Sequence, residues 1–338
     1  MVLKELCAIR GVSGDEGRVR EYIRAQIEPN VTSVKVDRLG NLIAYKKGTG
    51  ESNKHIVIAA HMDEVGMIVR GINENGLISY GTVGSIDPRT IVSKPVRIGD
   101  DEVPGVIGAK AIHLQRGAER NTVLPHSELY IDIGAKDKAS AERLVQIGDY
   151  ISFESKWVEF GDQMVKSRAL DDRIGCMVMM SILEGEYPCD VTCVFTVQEE
   201  PGCRGSMAAA YTVQSDAAII LEATAANDMG DPNEIQKVCC VKHGVAISFM
   251  DKASIVTAPL FDRMRELAIE NNIPWQIKSG VTGGNDGGPF QRLGGARATC
   301  VLSTPTRYIH SPSCVAAFAD IEAQYRLVEA FLMAGGAF

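Results

Sequence analysis

The chain has 338 residues, of which 45% are hydrophobic, enough for a large buried core, and its formal net charge is −8. That acidic balance, with no Lys/Arg-rich block, excludes nucleic acid as the default partner, because phosphate binding needs a basic face. No apolar run approaches the roughly 20 residues of a membrane span, and the opening MVLKELCAIRG lacks a secretory h-region, so the expectation is a soluble, unexported, cytoplasmic protein with no membrane partner.

In chain order, SGDEGRVREYIRAQI places Ser13 and Glu16 at capping-box spacing and Val19, Tyr22, Ile23 and Ile27 on one face, predicting a helix over about 14–28. HIVIAAHMD (55–63) is a short continuous apolar run ending in polar residues, as expected of a strand buried on both faces. From 67 to 161 the pattern changes to Gly, Val and Ile in short β-like runs, with an Asn75-Gly76 hairpin signal and one helical stretch, KASAERLVQ. This segment reads as a small β-rich domain inserted into an α/β domain made of 1–66 and 162–338.

Beyond it, helical stretches DDRIGCMVMMSILEG (171–185), GSMAAAYTV (205–213), PLFDRMRELAIENN (259–272) and AAFADIEAQYRLVEAFLMA (316–334) alternate with apolar runs at 190–200, 217–224, 245–250 and 296–303. Strands alternating with helices predict an α/β fold around a mixed, largely parallel sheet. The Met-rich CMVMMSIL reads as a core helix face. Nine cysteines, several inside apolar runs, read as free core thiols of a reducing compartment, and no C-x2-C pair offers a Cys/His zinc site.

Polar residues gather where the apolar runs end, the place where open α/β sheets bind ligands. His61 and Asp63 end one run, Glu199 and Glu200 end another in VTCVFTVQEEPGCRG, and Glu222 ends a third. Asp171 and Asp172 open a helix, Asp172 reading also as its N-cap, and His310 follows the run TCVLSTP. Burying the glutamate pair costs several kcal/mol without a partner. Two imidazoles and several carboxylates make an N/O ligand set for Zn²⁺, Co²⁺ or Mn²⁺. One glutamate would then be a ligand and its neighbour a general base, with Asp171 as the carboxylate shared between two ions.

The segments AAHMDEVGMIV, LDDRIGC, TVQEEPGCRG and RYIHSP, in this order, resemble the signature of metallopeptidase family 42, the TET-type aminopeptidases, and GVSGDEG and DRLGNLIAYKKG extend the likeness over essentially the whole chain. The resemblance implies a mixed-sheet α/β/α dinuclear-metal exopeptidase fold whose inserted β-rich domain, PDZ-like or a β-barrel, makes dimers that build a dodecamer. It implies that His61, Asp171 and Glu222 hold one divalent metal and Asp171, Glu200 and His310 the other. Glu199 would be the general base in hydrolysis of short peptides, and Asp63 would orient His61. It also implies a cis peptide between Asp171 and Asp172. The chain departs from the family pattern at Glu222, where Asp is usual, at Pro201, and in TGGNDGGPF (282–290), a substrate-pocket loop that reads G-G-T-D-A elsewhere.

Three other functions compete. A glycoside hydrolase, the label some relatives carry, would need two carboxyls across the bond and no histidines. An N-acyl deacylase would share the metal site, and a non-catalytic scaffold would have no use for Glu199. His55, His113, His126 and His243 read as surface or core histidines, and Glu64, Arg173 and Arg204 as structural.

Overall fold

The structure is a computed structural model that describes residues 2–230, 233 and 236–338. Helices α1 (Val2–Ala8) and α2 (Gly17–Ile27) lead into β1 (Ser33–Val36), β2 (Leu42–Lys46) and β3 (His55–His61). A run of short strands follows: β4 (Gly66–Ile72), β5 (Ile78–Val83), β6 (Pro95–Ile98), β7 (Val103–Gly108), β8 (Tyr130–Asp132), a one-turn α3 (Lys138–Ala141), β9 (Tyr150–Phe153), β10 (Val158–Phe160) and β11 (Met164–Ser167). Next come α4 (Leu170–Ile182), β12 (Asp190–Thr196), α5 (Arg204–Thr212), β13 (Ala217–Ala225), β14 (Val245–Ser248) and α6 (Ala258–Glu270). The chain closes with β15 (Trp275–Lys278), α7 (Gly287–Arg292), β16 (Ala298–Thr306), β17 (Cys314–Ala317) and α8 (Phe318–Met333).

Eight strands form one sheet in the order β1-β2-β12-β3-β13-β16-β14-β15. The central four, β12, β3, β13 and β16, are parallel, and they are the continuous apolar runs of the sequence because helices cover both of their faces. Alternate residues divide between two cores: Ile56, Ile58, Ile219 and Leu221 pack with α4 and α8, while Val57, Ala59, Ile220 and Val301 pack with α5 and α7. The expected three-layer mixed-sheet architecture is present. Gly175 lets α4 lie directly on β3, since a Cβ there would stand 2.8 Å from that of Ala60.

Six strands, β4-β5-β8-β7-β6-β9, close into a barrel with its own core of Met67, Val69, Ile98, Ile131 and Phe153. Asn73 caps the Asn75-Gly76 turn by accepting from the amides of Asn75 and Leu77, and Gly76 takes φ +79°. The barrel spans 66–153, and β10 pairs with β11, beside β17, in a separate three-stranded sheet.

Two local expectations fail. The Ser13–Glu16 capping box does not form: α2 starts at Gly17, the Ser13 hydroxyl donates to Asp63, and Glu16 accepts from the amides of Gly14 and Gln198. KASAERLVQ keeps only one helical turn, begun by an Asp137–Ser140 capping box. At Ser13 and Glu16, distant partners outcompeted the local pattern.

Candidate metal centre

Each polar segment reaches the site by its own backbone route. His61 is the last residue of β3, and Glu222 stands on β13. β12 stops at Thr196, so Glu199 and Glu200 sit beyond the sheet rather than in it, past a left-handed turn at Gln198 (φ +53°). The peptide between Asp171 and Asp172 is cis, as the resemblance implied, and both residues lie outside helical backbone geometry. Helix α4 proper therefore begins after Asp172, whose Oδ1 accepts from Gly175 N at 3.0 Å, the N-cap role read from the sequence. His310 takes φ +58° between β16 and β17.

His61, Asp171, Glu199, Glu200, Glu222 and His310 line a cavity of about 460 Å³. Asp171 lies between two imidazoles: its Oδ1 is 3.2 Å from His61 Nε2 and its Oδ2 is 3.3 Å from His310 Nε2. Glu222 Oε2 lies 3.9 Å from His61 Nε2, and Glu200 Oε2 lies 3.4 Å from His310 Nε2. Donor atoms of His61, Asp171 and Glu200 fall within 4.8 Å of one another, as do those of His61, Asp172 and Glu222. Asp172 is thus drawn into the cluster, and its Oδ2 is buried without a hydrogen-bond partner.

Asp63 is fully buried two residues past His61, and its contact with the imidazole is largely through backbone. His61 Nδ1 is 3.0 Å from the Asp63 carbonyl oxygen and 3.5 Å from its carboxylate. The carboxylate instead accepts from Ser13 Oγ at 2.6 Å, Glu199 N at 3.0 Å and Glu200 N at 3.2 Å. Asp63 therefore ties the loop that carries both glutamates to the end of β3.

The electrostatics are those of a site short of cations. Burial drives the Glu199 and Glu222 carboxyls well above their ordinary range, His61 opposing and neighbouring carboxylates reinforcing it. Burial lifts Glu200 to about 8. Burial disfavours charge on His310, but Asp171 and Glu200 outweigh it and raise it to about 9. Asp171 is held below the usual carboxylate range because the two imidazoles outweigh its burial. Among the described residues no Lys or Arg pairs with Asp171, Glu199, Glu200 or Glu222. Hard oxygen donors and two imidazoles around an orphaned carboxylate oxygen fit divalent cations.

Two residues beside Glu199 were not singled out from the sequence. Cys203 Sγ is 3.4 Å from Glu199 Oε1, and Asp286, buried beneath, accepts from Thr196 Oγ1 at 2.6 Å. Asp286 lies in the 282–290 loop already identified as pocket-forming, but its carboxylate meets the site only through tertiary folding. The other histidines are elsewhere: His55 bonds Thr192 and His126 bonds Ile86 O. Glu64, Arg168 and Arg173 form a buried ion-pair cluster behind the site, and nine described cysteines are all free thiols.

The sequence pattern of the M42 glutamyl aminopeptidase family matches residues 40–327. A putative aminopeptidase of Acetivibrio thermocellus is 36% identical over 97% of this chain and 96% of its own. The Pyrococcus horikoshii TET1 peptidase, described as assembling into a tetrahedron or a large octahedral shell, superposes with a TM-score of 0.86 at 32% identity, covering 98% of each chain. A Thermotoga maritima structure described as an endoglucanase superposes with a TM-score of 0.82 at 34% identity, covering 99% of this chain and 97% of that one. Matched in sequence and fold along nearly its whole length, the chain belongs to the M42 glutamyl aminopeptidase family of peptide hydrolases.

Proposed function

We propose that this protein is a dinuclear-metal aminopeptidase that removes N-terminal residues from short peptides. The observation that carries the reading is Asp171, whose two oxygens face two different histidines, as a carboxylate shared between two ions would. His61 and Glu222 would complete one metal position, with Asp172 beside them, and Glu200 and His310 the other. Zn²⁺, Co²⁺ or Mn²⁺ bound there would polarise the scissile carbonyl and acidify water.

The chain's own residues do the rest. Glu199 stays outside the ion pairs, and its Oε atoms take a proton from the attacking water and return it to the departing amine. Asp63 holds the Glu199 and Glu200 amides so that one glutamate ligates while its neighbour faces the substrate. Cys203 donates to Glu199 Oε1 and limits its rotation.

A homo-oligomer, a dimer built through the barrel and then a dodecamer, is part of the proposal. Its support in the chain is apolar surface around the barrel, where Ile112, Leu114, Val123 and Ile147 are more than half exposed. No described helix is long and apolar enough to cross a membrane.

The test is Glu199→Gln, assayed on aminoacyl-p-nitroanilides with added Zn²⁺, Co²⁺ or Mn²⁺ and with metal content measured. The variant should keep its metal and lose about 10²- to 10⁴-fold in kcat. Unchanged activity removes Glu199 as base, and cleavage restricted to N-acylated substrates makes the protein a deacylase. The endoglucanase description of the Thermotoga structure supplies a second reading, which chelation separates: a two-carboxyl glycosidase keeps its activity without metal.

A further inference from the structure

Among the described residues, donor atoms suited to a metal ion gather within 4.8 Å of one another in three groups, and the two that contain His61 belong to the metal centre described above. The third group is Glu199, Cys203 and Asp286, which shares no residue with the other two. Its members come from separate segments: Glu199 follows β12, Cys203 immediately precedes α5, and Asp286 immediately precedes α7. Glu199 and Cys203 line the same cavity as His61 and His310, so an ion in that cavity reaches them, while Asp286 is 1% exposed and supplies the buried side.

Asp286 carries the mark of a missing ligand. Its Oδ2 accepts from Thr196 Oγ1 at 2.6 Å, but its Oδ1 is buried without a hydrogen-bond partner. The Ser206 hydroxyl beside it donates instead to Cys203 O at 3.0 Å. Among the described residues no Lys or Arg pairs with Asp286 or Glu199. A buried carboxylate oxygen without a donor, close to a second carboxylate, is costly, and a cation between the two removes that cost. The thiol is already placed for it. Cys203 N bonds Glu199 O at 2.7 Å and Cys203 takes φ +54°, a tight turn that brings its Sγ to 3.4 Å from Glu199 Oε1. Around a tetrahedral Zn²⁺, with sulfur at about 2.3 Å and oxygen at about 2.0–2.2 Å, a thiolate and a carboxylate oxygen stand about 3.5–3.7 Å apart.

We propose that Glu199, Cys203 and Asp286 form a third cation site, separate from the two proposed catalytic positions, that takes Zn²⁺ and inhibits the enzyme when filled. Binding forms an S–Zn bond and releases the thiol proton to water. The bound ion occupies the Glu199 oxygen that would otherwise accept a proton from the attacking water, so the inhibitory role rests on the aminopeptidase reading above, whereas the site itself does not. One thiolate with two carboxylates favours Zn²⁺ or Cd²⁺ over Mn²⁺, which prefers oxygen donors alone.

The experiment dialyses wild type, Cys203→Ser and Asp286→Asn against rising Zn²⁺, counts bound metal, and records hydrolysis of an aminoacyl-p-nitroanilide, each protein relative to its own activity at low zinc. Wild type should take up a third equivalent and lose activity as it does so. Each variant should need about tenfold or more higher Zn²⁺ for both effects. Loading with Co²⁺ instead should give wild type a thiolate-to-cobalt charge-transfer band in the near ultraviolet that Cys203→Ser lacks, a readout independent of turnover. Two equivalents and no thiolate band in wild type, or a third equivalent that both variants retain, overturns the site and leaves the aminopeptidase standing. A third equivalent that leaves activity unchanged overturns the inhibitory role. Silence on every substrate fails the aminopeptidase reading and the inhibitory role with it, while the zinc count and the cobalt band still decide the site.

Discussion

Replacing Asp63 by asparagine tests whether one buried carboxylate sets the position of both glutamates. The carboxylate has four neighbours that donate to it or lie close: Ser13 Oγ and Glu200 N on Oδ2, and Glu199 N and the His61 ring on Oδ1. The asparagine side chain would offer one oxygen and one NH₂ group in the same space. Whichever way the amide turns, the amide hydrogen of Glu199 or of Glu200 meets a donor and is left unsatisfied. One orphaned buried donor costs about 1–3 kcal/mol, and the surviving bonds lose their charge assistance, so the expected loss is about 3–5 kcal/mol. The freed loop should also misplace Glu199, and an error of about 1 Å there lowers kcat by roughly a hundredfold. Urea unfolding of the metal-free protein reads the first effect, and aminoacyl-p-nitroanilide hydrolysis at measured metal content reads the second. A variant within about 0.5 kcal/mol of wild type and with unchanged kcat would refute the argument.

Two further outcomes follow from buried carboxylates outside the proposed metal ligands. Glu64 is 2% exposed and accepts from Arg168 and from Gly11 N, with Arg173 Nη2 at 3.8 Å. Glu64→Gln leaves two buried guanidinium groups without a counter-charge and should cost about 3–5 kcal/mol in urea unfolding; a loss under about 1 kcal/mol would show that their backbone acceptors suffice. Glu16 is raised from 4.5 to about 6, by burial first and then by the charge of Asp63, against hydrogen bonds from Gly14 N and Gln198 N. Because the folded value is the higher one, this group's contribution to stability is complete below pH 4.5 and is lost as pH rises through 6, about 2 kcal/mol in all. Glu16→Gln should therefore match wild type near pH 4.5 and exceed it by about that amount above pH 7, and identical pH profiles would sink the assignment.

The sheet and its helices were legible because burial on both faces writes itself into a strand as a continuous apolar run. HIVIAAH and AAIILEAT became β3 and β13 with ends within two residues of expectation. The carboxylates and imidazoles were legible for a related reason, since polar residues closing such runs stand out against them. What stayed hidden depends on pairing between distant segments. Ser13 looked like a helix cap because the capping-box spacing is local, whereas its partner Asp63 is fifty residues away. Lys278 and Asp286 lie in segments whose own pattern says only strand end and loop; Lys278 lines the cavity through the order β13-β16-β14-β15, and Asp286 comes near Glu199 and Cys203 only through tertiary folding, neither of which a single segment encodes.

The arrangement of adjacent glutamates rests on the same distinction. Successive residues of a strand face opposite sides, so Glu199 and Glu200 could not both enter one cavity if β12 continued through them. The strand stops at Thr196, and Gln198 takes φ +53°, a left-handed conformation disfavoured by about 1–2 kcal/mol for a residue with a Cβ. Ala169 before Asp171, Cys203 beside Glu199, and Tyr308 and His310 in the last site loop share that conformation. Glycine, the usual sequence sign of such a turn, stands at none of them. Folding energy from the two sheet faces and the Asp63 hydrogen bonds must hold these turns, and strain concentrated around one cavity is a mark of a working site. The candidate donor positions are therefore set by backbone geometry that side-chain pattern cannot announce, while most of the His, Asp and Glu side chains that meet there stand out in the sequence.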